Sequence, residues 1–194
     1  MPSPNSFEKA KQKAMEMYED HLSQKRVDEK AIPIIECFME KPGYFTTSSC
    51  SGRISLSYAP LKGKKKEHVF IKKWHDVPDS NDVLESIKSA DWKDVLWLKF
   101  EPFIFHIGCK DLEHAEKLIK LCIDLGFKRS GIFRLSPFPL VEVIPTGYFS
   151  VALGKDKELF VDEKAIMWFC QVAKELLLLN EERLQRFLER IKDL

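Results

Sequence analysis

Tyr44–Arg53, with the sequence YFTTSSCSGR, is the stretch around which the rest of the chain can be organised. Its hydroxyl side chains are too polar for a core, whereas Ile54–Tyr58 after it has the pattern of a strand. We therefore predict a strand that opens into a hydroxyl-rich turn ending at Gly52 and Arg53. Such a turn can hold an anion, because backbone N–H groups approach closely at a glycine and a guanidinium binds two oxygens at once. The alternative is an ordinary β-turn in which Ser and Thr bond their own backbone.

The composition indicates a globular protein of one domain, residues 1–194. Of its 194 residues, 44% are apolar and 31% are charged, which is enough for a substantial core. The formal net charge is only +1, so any nucleic-acid contact must come from local basic patches.

The cysteines and the hydropathy pattern indicate the compartment. The five cysteines are scattered without a CxxC pair, which disfavours a disulfide framework or a structural zinc site and favours a reducing cytosol. We find no signal peptide and no run of about 20 apolar residues. We therefore expect a soluble, cytoplasmic protein that does not bind a membrane.

Helical and strand patterns alternate along the chain. The predicted helices cover residues 6–21, 28–40, 79–90, 112–125 and 162–194. The predicted strands cover the stretch around residue 45 and residues 54–58, 68–74, 95–109, 127–132, 141–144 and 148–153, the last two as a hairpin. A bulge or break is expected at Pro102, because proline cannot donate a hydrogen bond to a neighbouring strand.

A lysine-rich segment, Pro60–Glu67, follows the quoted stretch and resembles a mobile hairpin loop. Its lysines are Lys62, Lys64, Lys65 and Lys66, and Lys72 lies on the strand after it. We predict that these five lysines contact RNA phosphates. The alternative is a solvated loop tip, which charge runs often form.

Three further polar residues are candidates for chemistry. His75 ends a strand beside an aromatic residue that could stack on a base. Glu101 lies in an apolar run, where a carboxylate is costly unless it is paired, so a ligand or a cation such as Arg53 is expected beside it. His106 is either a buried hydrogen-bonded histidine or a pocket residue.

Several blocks of the chain resemble one known family. Phe45–Arg53 is similar to the signature segment of the wybutosine-synthesis methyltransferases of the TYW3/Taw3 family. The similarity extends in the same order to further blocks, namely Ser23–Glu29, Trp74-His75, Lys99–His106 and Gly126–Ile132. Several spaced blocks in one order are more specific than one short motif.

The resemblance implies an activity. Members of the family transfer a methyl group from S-adenosylmethionine to a ring nitrogen of the wybutosine precursor (7-aminocarboxypropyl-demethylwyosine). This modified guanosine lies beside the anticodon of phenylalanine tRNA, so tRNA is the expected partner.

The resemblance also implies roles for residues of this chain. Those expected to form the cofactor or substrate pocket are Ser48, Ser49, Cys50, Gly52, Arg53 and His106. His75 is the candidate base, with Glu101 as the second catalytic group. Cys50 is expected to be a wall of the pocket rather than a nucleophile, because methylation of a nitrogen needs no covalent intermediate with the enzyme.

The expected fold is α+β, a single domain with a mixed β-sheet flanked by helices, including a long C-terminal helix. The chain has no GxGxxG motif, which argues against a Rossmann-type methyltransferase. One competing hypothesis is a non-catalytic module that binds tRNA or another partner through the same anion site and basic loop. A weaker one is a metal-dependent hydrolase that uses His75, Asp76, Glu101 and His106.

Overall fold

The computed structural model describes residues 5–62 and 65–194, except for the side chains of Asn5 and Lys65. The helices in these residues are α1 Asn5–Ser23, α2 Ile32–Glu40, α3 Ser80–Ser89, α4 Leu112–Asp124 and α5 Glu163–Ile191. The strands are β1 Tyr44–Ala59, β2 Val69–Trp74, β3 Val95–Cys109, β4 Gly131–Arg134, β5 Leu140–Val143, β6 Phe149–Lys155 and β7 Glu158–Leu159. Short 3-10 turns cover Glu29–Ala31 and Lys65–Glu67.

The helices begin and end at the residues that local chemistry favours. Asp28 caps the 3-10 turn before α2, Asp79 caps α3 and Asp111 caps α4, each with a carboxylate that accepts a backbone N–H. Pro33 lies in the first turn of α2, where its missing N–H costs nothing. Gly126, with φ of +83°, follows α4 in the left-handed conformation that glycine adopts without strain. The predicted caps Asp79 and Asp111 and the predicted stop at Gly126 are confirmed, whereas Asp28 caps the 3-10 turn and α2 itself begins only at Ile32.

The strands form an open sheet in the order β2-β1-β3-β5-β4, and β6 pairs with both β3 and β7. The predicted α+β class with a long C-terminal helix is confirmed, and the arrangement is not the doubly wound parallel sheet of a Rossmann fold. The sequence predicts a mixed sheet, but every pair whose register is described is antiparallel. Short connections reverse the chain between β4 and β5 and between β6 and β7, whereas the pairs that β3 forms with β5 and β6 join strands far apart in the sequence.

The described chain divides into two compact units. The first contains residues 5–51, 103–146 and 181–194, and the second contains residues 52–62, 65–102 and 147–180. The strands β1 and β3 and the helix α5 each contribute residues to both units. Because these three elements are shared by the two units, we propose that the chain is a single domain.

Each unit has its own apolar core. In the first unit, Phe187 of α5 packs against Phe103, Phe105 and Phe127, with ring centroids 5.9 to 6.2 Å apart. In the second unit, one face of the sheet packs against α3 and α5. Its buried strand residues are Ile54, Leu56, Leu96, Leu98, Phe100 and Leu153. Among the described helices, none has the length and apolar character needed to cross a bilayer.

Of the bulge or break expected at Pro102, the break is wrong, because β3 continues through Pro102 as one strand. The residues of β3 before Pro102, Val95–Phe100, pair with β6, whereas Phe105–Gly108 pair with β5. Pro102 thus lies between the two paired stretches, where its missing N–H removes no hydrogen bond from either of these pairings.

The expected hairpin between 141–144 and 148–153 is also wrong. Both segments form strands, but β5 pairs with β3 and β4, and β6 pairs with β3 and β7. The residues between them, 144–148, therefore lead from one stretch paired with β3 to the next instead of reversing the chain. The fourth strand is shorter than predicted, since β4 begins only at Gly131.

Candidate functional site

A cleft of about 490 Å³ opens beside the first residues of β1, in the first unit. Its apolar wall includes Ala10 and Ala14 of α1, Phe45 of β1, and Phe138. The hydroxyl run Thr46–Ser49 lines its polar side. Its volume lies within the range of ~300 to 1,000 Å³ that is usual for small-molecule sites.

Three aromatic rings stabilise one wall of the cleft. Phe7 of α1 packs edge-on against Phe45 at 5.2 Å and against Phe138 at 5.8 Å, and Phe45 and Phe138 are 5.4 Å apart. The Phe45 ring lies over Gly108 of β3, where a Cβ would be 2.5 Å from the ring. Glycine at this position therefore leaves the space that the wall of the cleft needs.

The polar side of the cleft offers hydrogen-bonding groups to a ligand. Thr46 is buried, whereas Thr47 and Ser48 are exposed, and Thr47 Oγ1 donates to the carbonyl of His106 at 3.4 Å. The hydroxyls of Ser48 and Ser49 form no hydrogen bond within the described part of the chain. The predicted roles of these two serines are therefore compatible with their positions.

The charged residues of the cleft are mainly basic. Lys13, Arg26 and Arg134 line it, and Asp28 is the one carboxylate among its lining residues. The Arg134 guanidinium lies 5.3 Å from the centroid of the Phe138 ring. The cleft therefore suits a ligand with an aromatic ring and a carboxylate or phosphate.

Asp28 connects the cleft to the signature strand. Its Oδ2 accepts the backbone N–H of Ser51 at 2.7 Å, while its Oδ1 accepts the N–H of Lys30 at 3.3 Å in the cap. Tyr18 of α1, also in the cleft, donates its hydroxyl to Glu36 at 3.1 Å. Burial, together with this carboxylate, raises the pKa of Tyr18 to about 12, so Tyr18 remains a neutral donor.

The predicted turn within the signature is wrong. Tyr44–Ala59 is one continuous strand that contains both the hydroxyl run and Gly52. Thr is a β-branched residue that fits a strand well, and Gly52 has φ of +101°, a conformation that glycine adopts without strain. The predicted anion site would therefore have to be formed by side chains around the strand and not by turn backbone.

Arg53 and Glu101 form an ion pair in the second unit, as the sequence predicts. Arg53 Nε donates to Glu101 Oε2 at 2.8 Å, and Ser55 Oγ lies 3.4 Å from the same oxygen. Both side chains are about one-third exposed. The pairing explains how a carboxylate is retained in the apolar strand β3.

The ring of His75 is oriented by a backbone contact. Its Nδ1 lies 3.0 Å from the carbonyl oxygen of Gly52, also in the second unit. A carbonyl only accepts, so Nδ1 carries the proton that it donates to Gly52. The role of His75 as a base remains a prediction.

His106 is placed outside the set of cleft-lining residues. Its Nε2 lies 3.1 Å from Glu142 Oε2 on the neighbouring strand β5, and its ring contacts Phe133 at 4.7 Å. It is therefore a half-buried, hydrogen-bonded histidine, one of the two alternatives left by the sequence. Cys50 is half-buried and also lies outside the lining set. The cofactor roles of both remain predictions.

The predicted RNA-binding lysines have different environments. Lys62 and Lys66 are exposed, Lys64 lies outside the described residues, and the side chain of Lys65 is not described. Lys72 forms an ion pair with Asp82 of α3 at 2.5 Å. The role of all five in RNA binding remains a prediction.

Sequence reasoning missed most of the cleft residues outside the signature. Lys13, Arg134 and Phe138 come from three separate parts of the chain, and only the packing brings them together. Arg26 and Asp28 lie in one of the blocks that resemble the family, which was the available signal for them.

Comparison with known proteins decides the family. The model of the family described as "Methyltransferase TYW3" matches residues 9–193. The chain belongs to the TYW3 methyltransferase family. A Pyrococcus abyssi protein is 37% identical over 190 residues, 97% of each chain, and is named tRNA(Phe) 7-((3-amino-3-carboxypropyl)-4-demethylwyosine(37)-N(4))-methyltransferase 1. A Thermococcus kodakarensis protein of the same name is also 37% identical, over 97% of this chain and 96% of its own.

Solved structures agree with this TYW3 assignment. The PH1069 protein from Pyrococcus horikoshii matches with a TM-score of 0.91 and 36% identity, over 98% of both chains. A hypothetical protein from Aeropyrum pernix shares the fold, with a TM-score of 0.73 and 21% identity over 86% of this chain and 98% of its own. The predicted family resemblance is confirmed, whereas the non-catalytic module and the metal-dependent hydrolase gain no support from the comparisons.

Proposed function

We propose that this chain is an S-adenosylmethionine-dependent tRNA methyltransferase. Its substrate would be 7-(3-amino-3-carboxypropyl)-4-demethylwyosine at position 37 of phenylalanine tRNA, and the methyl group would go to ring nitrogen N4. This substrate is the one that the names of the relatives state, and the chain covers nearly their whole length. The structural observation that carries the proposal is the 490 Å³ cleft formed around the hydroxyl run of β1.

The cleft fits the chemical groups of the proposed cofactor. Its aromatic wall, Phe45 and Phe138, suits the adenine ring. The carboxylate of Asp28 and the serine hydroxyls suit the ribose hydroxyls. The guanidinium of Arg26 suits the carboxylate of the methionine part. We therefore place S-adenosylmethionine in this cleft.

When bound, S-adenosylmethionine would supply the methyl group that its positively charged sulfonium carries. The rest of the cofactor would then leave as a neutral thioether. The protein's contribution is to hold the acceptor nitrogen in line with that methyl group. We propose that His75 removes the proton of the acceptor nitrogen, since the Gly52 carbonyl orients its ring through Nδ1. In this proposal Glu101 acts by orienting the Arg53 guanidinium.

The proposed partner is tRNA, with Lys62, Lys64, Lys65, Lys66 and Lys72 as predicted phosphate contacts. Lys62 and Lys66 are exposed and available for such contacts. Lys72 would have to exchange its Asp82 partner for a phosphate.

Calorimetric titration with S-adenosylmethionine tests the cofactor site. Ala14→Leu places a larger side chain in the cleft, and we expect it to abolish binding. Glu16→Leu adds the same side chain to α1 at an exposed position outside the lining set, and we expect normal binding. Arg53→Ala separates two locations, because a loss of binding in this variant alone would move the cofactor to the second unit.

A methyl-transfer assay with labelled S-adenosylmethionine and phenylalanine tRNA that carries the demethylwyosine precursor tests the reaction. We expect label in the tRNA with the wild-type protein and with Glu16→Leu, and none with Ala14→Leu. Saturable tRNA binding without cofactor binding or label transfer would reject the enzyme and favour the non-catalytic module.

A further inference from the structure

One face of the sheet in the second unit carries a set of aromatic and basic side chains and is not the face that packs on α3 and α5. Side chains alternate along a strand, so Trp97 and Lys99 of β3 point away from the buried Leu96, Leu98 and Phe100. In β2, Lys73 is opposite Ser55, and Phe70 is opposite Ser57. We call this surface the open face and define it by Arg53, His68, Phe70, Lys73, Trp97 and Lys99.

The open face pairs each exposed cation with an aromatic ring. The Nζ of Lys73 lies 4.0 Å and the guanidinium carbon of Arg53 lies 5.1 Å from the centroid of the Phe70 ring. The Nζ of Lys99 lies 5.4 Å from the centroid of Trp97. Both aromatic rings are partly exposed. A base that stacks on either ring would therefore lie beside a cation that can contact its phosphate.

The open face is electrostatically positive. The carboxylate of Glu101 beside it is paired with Arg53. Neither Lys73 nor Lys99 forms an ion pair within the described residues. Burial, followed by the nearby Lys99, lowers the pKa of His68, which is the effect expected where several cations converge.

The opposite face of the same strand differs in this respect. Lys72, next to Lys73 in β2, points towards α3 and forms an ion pair with Asp82. Trp74 donates its indole N–H to the other oxygen of that carboxylate at 2.8 Å. Lys72 is thus neutralised within the protein, whereas Lys73 and Lys99 on the open face are available to an outside anion.

We propose that the open face binds a single-stranded segment of the substrate tRNA, with bases stacked on Phe70 and Trp97 and phosphates held by Lys73 and Lys99. The proposal rests on the proposed function, which makes tRNA the substrate. The strand order β2-β1-β3 separates the two rings by two strand spacings, about 10 Å. They therefore stack on two different bases and do not sandwich one. Stacking tolerates any base, so this surface holds the loop and leaves recognition of the modified base to the catalytic residues.

The affinity of each variant for phenylalanine tRNA, measured by fluorescence anisotropy at several salt concentrations, tests the open face. We expect Trp97→Ala to weaken binding by roughly ten-fold or more, the usual loss for one stacked base. The matched control is Trp168→Ala, because Trp168 is 62% exposed on α5 and lies outside the open face. Trp97→Phe keeps a stacking ring and should restore most of the affinity.

A second pair of variants tests the phosphate contacts. The double variant Lys73→Ala/Lys99→Ala should reduce the slope of log affinity against log salt by about 1.4, since each phosphate contact to a single strand contributes ~0.7. The control Lys164→Ala/Lys174→Ala removes the same charge from exposed positions on α5 and should leave the slope unchanged. Oligouridine should compete for the wild-type protein, and duplex RNA should compete poorly. Unchanged affinity and slope in both open-face variants would overturn the proposal.

Cofactor binding distinguishes this proposal from the proposed function. If open-face variants bind S-adenosylmethionine normally and melt as the wild type does, a loss of tRNA affinity belongs to the open face. Methyl transfer by the wild type together with unaltered tRNA affinity in the variants would refute the open face alone. Absence of cofactor binding in the wild type, with tRNA affinity that still depends on Trp97, would refute the methyltransferase alone.

Discussion

Replacing Asp28 tests the contact that joins the cap before α2 to the signature strand. In Asp28→Ala the 3-10 turn loses its cap, and the buried backbone N–H of Ser51 loses this acceptor. Ser51 is only 3% exposed, so water cannot easily replace the carboxylate. The variant therefore loses two contributions, one local and one that joins distant parts of the chain.

The magnitude follows from the two contacts. Loss of an N-terminal cap costs about 1 kcal/mol, and a buried N–H left without an acceptor costs about 1 to 3 kcal/mol. We expect Asp28→Ala to lower the free energy of unfolding by roughly 2 to 4 kcal/mol, which lowers the Tm by about 5 to 15 °C. Asp28→Asn keeps an oxygen that can accept from Ser51, so its loss should be less than half as large.

Urea unfolding followed by circular dichroism measures the effect, with Asp79→Ala as the control. Asp79 caps α3 by accepting the N–H of Asn81 at 2.9 Å at an exposed position, so its removal should cost only about 1 kcal/mol. The difference between the two alanine variants measures what Asp28 contributes beyond a helix cap, including the contact with Ser51. Equal midpoints for Asp28→Ala and Asp79→Ala would refute the reasoning that the signature strand is held through Asp28.

Three further predictions follow from packing and titration. Gly108→Ala should lower the free energy of unfolding by about 1 to 3 kcal/mol, because the added Cβ would overlap the ring of Phe45. Gly131→Ala is the control, since the space around Gly131 is open and its free energy of unfolding should not fall. Urea unfolding compares the two variants. Because the pKa of His68 is lowered in the folded state, the unfolded state binds a proton at a higher pH than the folded state does. The free energy of unfolding should therefore fall as the pH drops below about 6.5. Thermal melts between about pH 8 and pH 5 should show a smaller loss of stability for His68→Asn than for the wild type. Burial raises the pKa of both Cys109 and Cys122 to about 12, so these two thiols should resist a thiol reagent at about pH 8 until urea is added, as mass spectrometry of labelled peptides can show.

The helical part of the fold could be predicted because its signals are local. Asp79 and Asp111 precede apolar stripes and Gly126 follows one, and each of these residues acts within a few positions of itself. Strand pairing is not local. The sequence predicts a break at Pro102 and a hairpin between β5 and β6, and both predictions are wrong. The pairing of these strands depends on their register with β3, which no short segment encodes.

The site was predictable in its chemistry and only in part in its location. The cost of a lone carboxylate predicted the partner of Glu101, and the predicted pocket residues Ser48 and Ser49 line the cleft. The hydroxyl run was assigned to a turn because a turn and an irregular strand use the same residue types, and only the partner strands decide between them. Arg134 and Phe138 carried no signal, since their role arises from packing beside α1.

The two neighbouring lysines of β2 show why a net charge of +1 does not argue against an RNA-binding surface. Lys72 was singled out from the sequence, yet it faces α3 and is paired with Asp82, whereas Lys73 lies against Phe70 on the open face. Charge counting treats the two residues alike, but the alternation of a strand sends them to opposite sides of the sheet. Acidic residues then neutralise one side and leave the other side positive. The electric field that a polyanion meets therefore depends on how the cations are distributed between the two faces. The geometry of the sheet determines this distribution, and the net charge does not.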